Sequence, residues 1–329
     1  MSRPTFDTHH QRRPHTHYRQ PHDERERDPL STLILSDLDG TLLGPGATLS
    51  TSTRDGINDL VTNGLLFTYA TARSYVSAAR VTDGLDLRVP VTVSGGAFQL
   101  DPQTGAILNE ERIAADDLDT VLRLCRGHRV PPIVYNGTPT AERATRVEGE
   151  ESEGMRRFLA DRVGDQRFRT VTSWARLPHD GVFYATIIGD ASAIAALTVD
   201  IAAATDGRLS LIAQIDTHHP QDTYLELSAA RATKAHAVAW LRDYLDVDQV
   251  IAYGDNLNDL PMFGAADEAY AVANAAPEVL EAATEVVGSN VEDGVVHHLA
   301  ASWSRDVKTA RPAELLNGPQ NGPDAISLS

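Results

Sequence analysis

Cysteine is nearly absent: the 329-residue chain has one, Cys125. A single thiol excludes an intramolecular disulfide framework and any zinc site built on paired cysteines. Lysine is almost as scarce, with only Lys234 and Lys308, so arginine supplies nearly all of the basic residues. No run of about 18 apolar residues occurs, so no membrane-spanning helix is expected. No apolar leader opens the chain, and a cytoplasmic location is the expectation. Positive charge is in deficit: 29 Lys and Arg against 46 Asp and Glu leave a formal charge of −17. Duplex binding needs a dense cationic patch, so nucleic acid is not an expected partner. A small phosphate needs only one or two placed cations and stays compatible. The apolar content, 42%, is ordinary, and the length suffices for two modest domains. Nothing in the composition sets an oligomeric state.

Residues 1–30 carry five histidines (His9, His10, His15, His17 and His22), six arginines and five acids, without apolar periodicity. This reads as a disordered tail rather than a metal-binding one, because the histidines have no regular spacing. Residues 307–329, broken by Gly318, Pro319, Gly322 and Pro323, read the same way. Between the tails, Leu33-Ile34-Leu35 is an unbroken apolar run, the mark of a strand buried on both faces. Strands at 65–69 and 89–93 follow, separated by helices that start after Ser50 and at about Ser74. The same rhythm returns after Thr233, with strands at 249–253 and 269–272 and helices opened by Pro261 and Pro277. This β-α alternation predicts a parallel sheet with helices on both faces. The stretch between, 113–218, mixes helices and strands differently and reads as an α+β insert. The expected organisation is a core of 31–112 and 219–306 around that insert.

Four groups of polar residues follow predicted strands, at the edge where open parallel sheets bind ligands. The first is Asp37-Leu38-Asp39-Gly40-Thr41. Two carboxylates two residues apart on extended backbone share a side, and their repulsion calls for a proton or a cation. A hard divalent ion such as Mg²⁺ suits oxygen ligands, and a carboxylate so placed can attack phosphorus. A calcium loop starting at Asp37 is excluded, because Leu42 and Thr48 stand where it needs Gly and Glu. The second group is Ala70-Thr71-Ala72-Arg73, a hydroxyl before a helix. That hydroxyl is either a phosphate donor or an ordinary cap. The third is Lys234, whose compact ammonium suits a phosphate as a point charge. The fourth is Gly254-Asp255-Asn256-Leu257-Asn258-Asp259, with carboxylates four residues apart entering a helix.

In this order the four groups resemble the motifs of the haloacid dehalogenase-like (HAD) hydrolase superfamily, and most closely its Cof-type phosphatases. Asp37-Leu38-Asp39-Gly40-Thr41-Leu42 is similar to the first motif, Thr71 to the second, Lys234 to the third and Gly254–Asp259 to the fourth. Asn274-Ala275 and Glu292-Asp293-Gly294-Val295 are similar to that subfamily's C-terminal half, and the likeness covers about residues 32–300. The chain departs from the subfamily in having Ala72 where Gly is usual and Gly95 where Asn is usual before Gly96-Ala97.

The resemblance implies a Rossmann-like core with a C2-type cap formed by the insert. It also implies a Mg²⁺-dependent phosphatase acting on a small phosphorylated metabolite, such as a sugar phosphate, through an aspartyl-phosphate. Asp37 is then the nucleophile and Asp39 the acid and base. Asp37, the main-chain carbonyl of Asp39, and Asp255 hold the metal. Thr71, Lys234 and Asn258 contact the phosphoryl group, and Asp259 orients Lys234. Gly40, Arg73 and Gly96 are candidate substrate contacts on the core. Tyr135, Asn136, Arg143, Arg146 and Arg156 are candidates on the cap. Two alternatives stay open: a phosphomutase, and a catalytically silent regulatory protein that binds a phosphorylated metabolite.

Overall fold

A computed structural model describes residues 31–216 and 219–306. The tails expected at 1–30 and 307–329 lie outside the described residues. In chain order the strands are β1 (Thr32–Ser36), β2 (Leu66–Tyr69), β3 (Val91–Val93), β4 (Phe98–Leu100), β5 (Ile107–Glu110), β6 (Pro132–Asn136), β7 (Arg143–Val147), β8 (Phe168–Val171), β9 (Val182–Gly189), β10 (Leu209–Ile215), β11 (Thr223–Ala229), β12 (Gln249–Gly254), β13 (Glu268–Val272) and β14 (Glu285–Val287). The helices are α1 (Thr51–Thr62), α2 (Tyr75–Val81), α3 (Ala115–His128), α4 (Glu153–Ala160), α5 (Ala191–Thr205), α6 (Lys234–Leu245), α7 (Leu260–Ala265), α8 (Pro277–Ala282) and α9 (Gly294–Asp306).

The unbroken apolarity of β1 has the expected consequence: the strand lies inside a five-stranded sheet of order β14-β13-β12-β1-β2, parallel throughout. Its side chains alternate between two cores. Leu33 and Leu35 pack with Val238 and Leu241 of α6 and with Met262 and Phe263 of α7. Ile34 faces the other way, onto Ile57 and Val61 of α1 and Val295 and Val296 of α9. Each such fully buried aliphatic side chain contributes roughly 1.5–3 kcal/mol. Ser50, Ser74 and Thr233 cap α1, α2 and α6 by accepting from the amides of Thr53, Ser77 and His236.

The third expected strand departs from the prediction. β3 is not a member of the parallel sheet. It pairs antiparallel with β4, which pairs with β5, and it meets the end of β2 through a parallel bridge from Ala70 to Thr92, where the Thr71 amide donates to the Thr92 carbonyl at 3.1 Å. The cause is local: Gly95 and Gly96 both take positive φ, so the chain folds back on itself and β4 claims the free edge of β3.

A separate six-stranded sheet has the order β10-β11-β9-β6-β7-β8. Helices α3 and α5 cover one face, where Leu118, Val121, Ile194 and Leu197 meet Ala185, Ile187, Leu225 and Leu227. Helix α4 covers part of the other face, with Met155 against Ile133 and Ile188. This sheet corrects the expected boundary at residue 218. β11 belongs to it and pairs with both β10 and β9, so the sheet extends to Ala229. Leu225 and Leu227 point into the apolar layer under α5, and that burial holds the strand there.

Candidate active site

The carboxyl ends of β1, β2 and β12 converge where the strand order changes direction, the usual place for a ligand crevice in such a sheet. Asp37 follows β1 directly, and its amide donates to the Tyr253 carbonyl of β12 at 2.9 Å. Asp255 follows β12. Thr71 follows β2 by two residues and is buried, its hydroxyl accepting from the Arg73 amide at 3.2 Å. Lys234 opens α6 and reaches back under the sheet edge.

The centre of the site is an ammonium held between two carboxylates. Lys234 Nζ donates to Asp37 Oδ1 at 2.5 Å and to Asp259 Oδ1 at 2.6 Å. All three side chains are buried. The second oxygen of Asp259 accepts from the amides of Asp255 at 3.0 Å and Asn256 at 3.1 Å. Asp259 is therefore fully engaged in fixing Lys234 and the loop that carries Asp255. Thr41 Oγ1 donates to Asp255 Oδ1 at 2.8 Å, which aims that carboxylate back toward Asp37.

The charges do not balance. Asp37, Asp255 and Asp259 each offer an oxygen within 4.8 Å of the others, facing one ammonium. Burial pushes the Asp37 carboxyl up to about 7 against the pull of Lys234, with Asp259 and Asp255 adding to the rise. Burial also raises Asp255, opposed by its bond from Thr41. Burial works against the charged form of Lys234, but Asp37 and Asp259 outweigh it and the net shift is upward. Three carboxylates and one ammonium leave two negative charges, and every donor is a hard oxygen. The set fits a divalent cation of the Mg²⁺ type. Asp37 and Asp255 are the residues to hold it, since both oxygens of Asp259 are taken.

Two glycines let the backbone come this close. Gly40 has φ +81°, and a β-carbon there would lie 2.3 Å from Asp255 Oδ2. Its carbonyl accepts from Asn274 Nδ2 at 2.8 Å. Gly96 has φ +111°, and a β-carbon would lie 2.6 Å from the backbone of Thr233, the cap beside Lys234. Gly96, a candidate substrate contact, is buried against the backbone that opens α6.

Asp39 is exposed, and its side chain lies outside the acidic cluster. Arg73 grips it with two bonds, Nε to Oδ2 at 2.6 Å and Nη2 to Oδ1 at 2.5 Å. Arg73 Nη1 also donates to Ser77 at 2.9 Å. Asn258 is exposed on the turn that carries Asp259.

The residues expected on the insert divide. Tyr135 is half-buried, edge-on against Tyr184 with ring centres 5.2 Å apart, and desolvation lifts its phenol to about 12. Arg146 is tied to Glu151, and Arg156 donates to the Glu151 carbonyl at 2.6 Å. Asn136 turns to the Asp180 carbonyl at 3.5 Å. Arg143 alone lines a cleft shared with α2. The sequence reading gave no role to Thr41 or Ser77. Thr41 was visible in the first motif, whereas nothing local marked Ser77.

Comparison with known proteins agrees with this architecture. Residues 34–299 match the family described as haloacid dehalogenase-like hydrolase, and the chain belongs to that family. A provisionally named phosphatase of Haemophilus influenzae is 28% identical, the alignment covering 80% of this chain and 94% of that one. The HMP-PP phosphatase of an Enterobacter species is 24% identical over 83% and 96%. The 5-amino-6-(5-phospho-D-ribitylamino)uracil phosphatase YitU of Bacillus subtilis is 25% identical over 83% and 97%. Among solved structures, a Thermotoga maritima protein superposes with a TM-score of 0.69 at 22% identity, over 85% of this chain and 98% of the other. The phosphatase BT1666 of Bacteroides thetaiotaomicron gives 0.68 at 21%, over 86% and 98%. These likenesses establish the fold, and the chain is an enzyme of the HAD phosphatase class. Among the described residues no helix is long and apolar enough to cross a membrane.

Proposed function

We propose that this chain is a Mg²⁺-dependent phosphatase of small phosphorylated metabolites that works through an aspartyl-phosphate on Asp37. The observation that carries the reading is Lys234 Nζ bridging Asp37 and Asp259 at 2.5 and 2.6 Å, beside the carboxylate of Asp255. Asp37 Oδ2 attacks phosphorus, and the ester P–O bond breaks as Asp39 hands a proton to the departing alkoxide. Asp39 then takes a proton from water, the water oxygen attacks phosphorus, and the acyl-phosphate P–O bond breaks. Inorganic phosphate leaves and Asp37 is restored. Lys234, which has a third N–H beyond its two acids, and the Thr71 hydroxyl hold the transferring oxygens. Asn258 adds a polar contact at the mouth. Arg73 steadies Asp39. Mg²⁺, held by Asp37, Asp255 and the Asp39 carbonyl, would neutralise phosphoryl charge.

The named relatives act on HMP-PP and on a phosphoribitylamino-uracil, which supports a small phosphorylated metabolite as the substrate class. The six-stranded sheet is read as the lid: Tyr135 and Tyr184 pack against the apolar cluster that contains Phe98 and Ala232 of the core. Lids exclude water and select the leaving group. Phosphate release from p-nitrophenyl phosphate in Mg²⁺, by the wild type and by Asp37→Asn, tests the reading. The wild type should turn over and the variant should not. Comparable release by both would remove Asp37 as the nucleophile.

A further inference from the structure

A cleft of about 400 Å³ opens between α2 and the lid, lined by Ser77 and Arg80 on one side and by Thr140, Glu142, Arg143 and Arg167 on the other. It adjoins the catalytic residues through a short relay. Ser77 lines it and accepts from Arg73 Nη1 at 2.9 Å, and Arg73 holds Asp39. The cleft thus lies one relay, through Arg73 and Ser77, from the carboxylate that would protonate the leaving group as its bond to phosphorus breaks.

The charge inside the cleft runs against that of the whole chain. Its two acids, Glu142 and Asp165, are both occupied by Arg167, which pairs with Glu142 and donates to Asp165 Oδ2 at 2.7 Å. Arg80 and Arg143 are exposed, and among the described residues neither has a carboxylate partner. Arg143 makes only a 3.4 Å contact to a main-chain carbonyl. Other arginines of the surface also lack acids. These two differ in facing each other across one cleft, which Ser77 and Arg73 link to Asp39. In a protein of formal charge −17, a cationic recess gathers anions that the rest of the surface repels. Two guanidinium forks suit a carboxylate or a second phosphate.

We infer that the cleft is a subsite for a second anionic group on the substrate's leaving side, with Arg80 and Arg143 as its specificity determinants. The natural substrate is then a phosphate monoester that also carries a carboxylate or another phosphate. This rests on the phosphatase reading above and narrows its substrate class.

Matched substrates test it. Glycerol 3-phosphate against 3-phosphoglycerate differs by a nearby carboxylate, and fructose 6-phosphate against fructose 1,6-bisphosphate differs by a distant phosphate. In at least one pair, wild-type kcat/KM should favour the doubly anionic member by about tenfold or more, mostly through KM. The R80Q/R143Q variant should bring that ratio to within about twofold of unity, and R143E should push it below. Both residues are exposed, so circular dichroism and the melting temperature should match the wild type. A wild-type ratio near unity in both pairs, or a ratio unmoved by the double substitution, would overturn the subsite. Failure of the phosphatase reading looks different: no ester, including p-nitrophenyl phosphate, would release phosphate. Calorimetric Kd ratios for the same pairs on Asp37→Asn decide the subsite in either case. An equal Kd within each pair counts against it, and tighter binding of the doubly anionic member that R80Q/R143Q abolishes supports it.

Discussion

Gly96 rests its α-carbon against the backbone of Thr233, so closely that a β-carbon would sit 2.6 Å from three Thr233 atoms. Thr233 caps α6 and precedes Lys234, so the approach sets where the ammonium stands. Gly95 provides the control. It also has positive φ, but a β-carbon there meets nothing within 4 Å. Gly95→Ala should therefore cost only the left-handed backbone strain, roughly 1–2 kcal/mol. Gly96→Ala adds overpacking against main chain and should cost roughly 3–5 kcal/mol. It should also lower kcat by about a hundredfold through misplacement of Lys234. Urea midpoints and steady-state rates on the two variants check this. Equal effects would mean that the contact does not position α6.

Among the described residues, Lys234 is the only cation bonded to Asp37 and Asp259. Lys234→Ala should destabilise the metal-free protein by about 3–5 kcal/mol, because Asp37 and Asp259 are left buried without a cation. Mg²⁺ should restore part of that stability. It should also stabilise the wild type, by about 2.7 kcal/mol at a hundred times its Kd. Turnover should stay down by about 10²–10³-fold even in saturating Mg²⁺, because a donor to the phosphoryl oxygens is gone. Melting curves in EDTA and in Mg²⁺ measure the first effect and phosphate release the second. A variant as stable as the wild type in EDTA would show that the carboxylates do not need the ammonium.

Asp39 stands apart from that buried set. Its ion pair with Arg73 is half-exposed and contributes at most about 1 kcal/mol. Asp39→Asn should cost at most about 1 kcal/mol of stability while lowering activity by about 10²–10⁴-fold, the span of general acid–base catalysis. Thermal melts and kcat measured on one preparation check both halves. A variant that keeps its activity would remove Asp39 as acid and base.

These effects differ in how far the sequence discloses them. The apolar run at Leu33, the caps at Ser50 and Thr233, and the carboxylates after β1 and β12 were legible, because each depends on neighbours within a few residues. β11 was not read as a strand, although its alternating burial is regular. Period two reveals a strand but not which sheet will pair with it, and Leu225 and Leu227 meet their partners only after folding. β7 and β8 were missed because Arg143, Arg146 and Arg169 interrupt the apolar alternation; Arg146 is paired with Glu151, whereas Arg143 and Arg169 reach only main-chain carbonyls. The site's acids were readable as motifs. Thr41 against Asp255 and Gly96 against Thr233 are long-range contacts with no local signal.

His298 carries the remaining prediction, on pH. It lies on α9, where Nδ1 shares a hydrogen bond with Tyr253 Oη at 2.8 Å and Nε2 lies 3.3 Å from Ser302 Oγ. The ring leans on Tyr270 at 4.4 Å, and Glu285 and Glu268 are the charged groups that face it. Burial lowers its pKa below the ordinary value of 6.5, against the opposite pull of the two glutamates. The folded state thus binds fewer protons than the unfolded chain between the lowered value and 6.5. Stability from this residue is complete above pH 6.5 and is lost as pH falls toward and through the folded value. Asp37 moves the other way: its raised pKa adds stability at low pH that is lost as pH rises toward about 7. The His298 contribution must therefore be taken as a difference between proteins. His298→Gln keeps a hydrogen-bonding side chain beside Tyr253 and removes the titration. The stability of the wild type relative to this variant should fall between pH 7.5 and pH 5, read from urea midpoints. A difference that stays constant over that range would show that His298 titrates alike in the folded and unfolded chains.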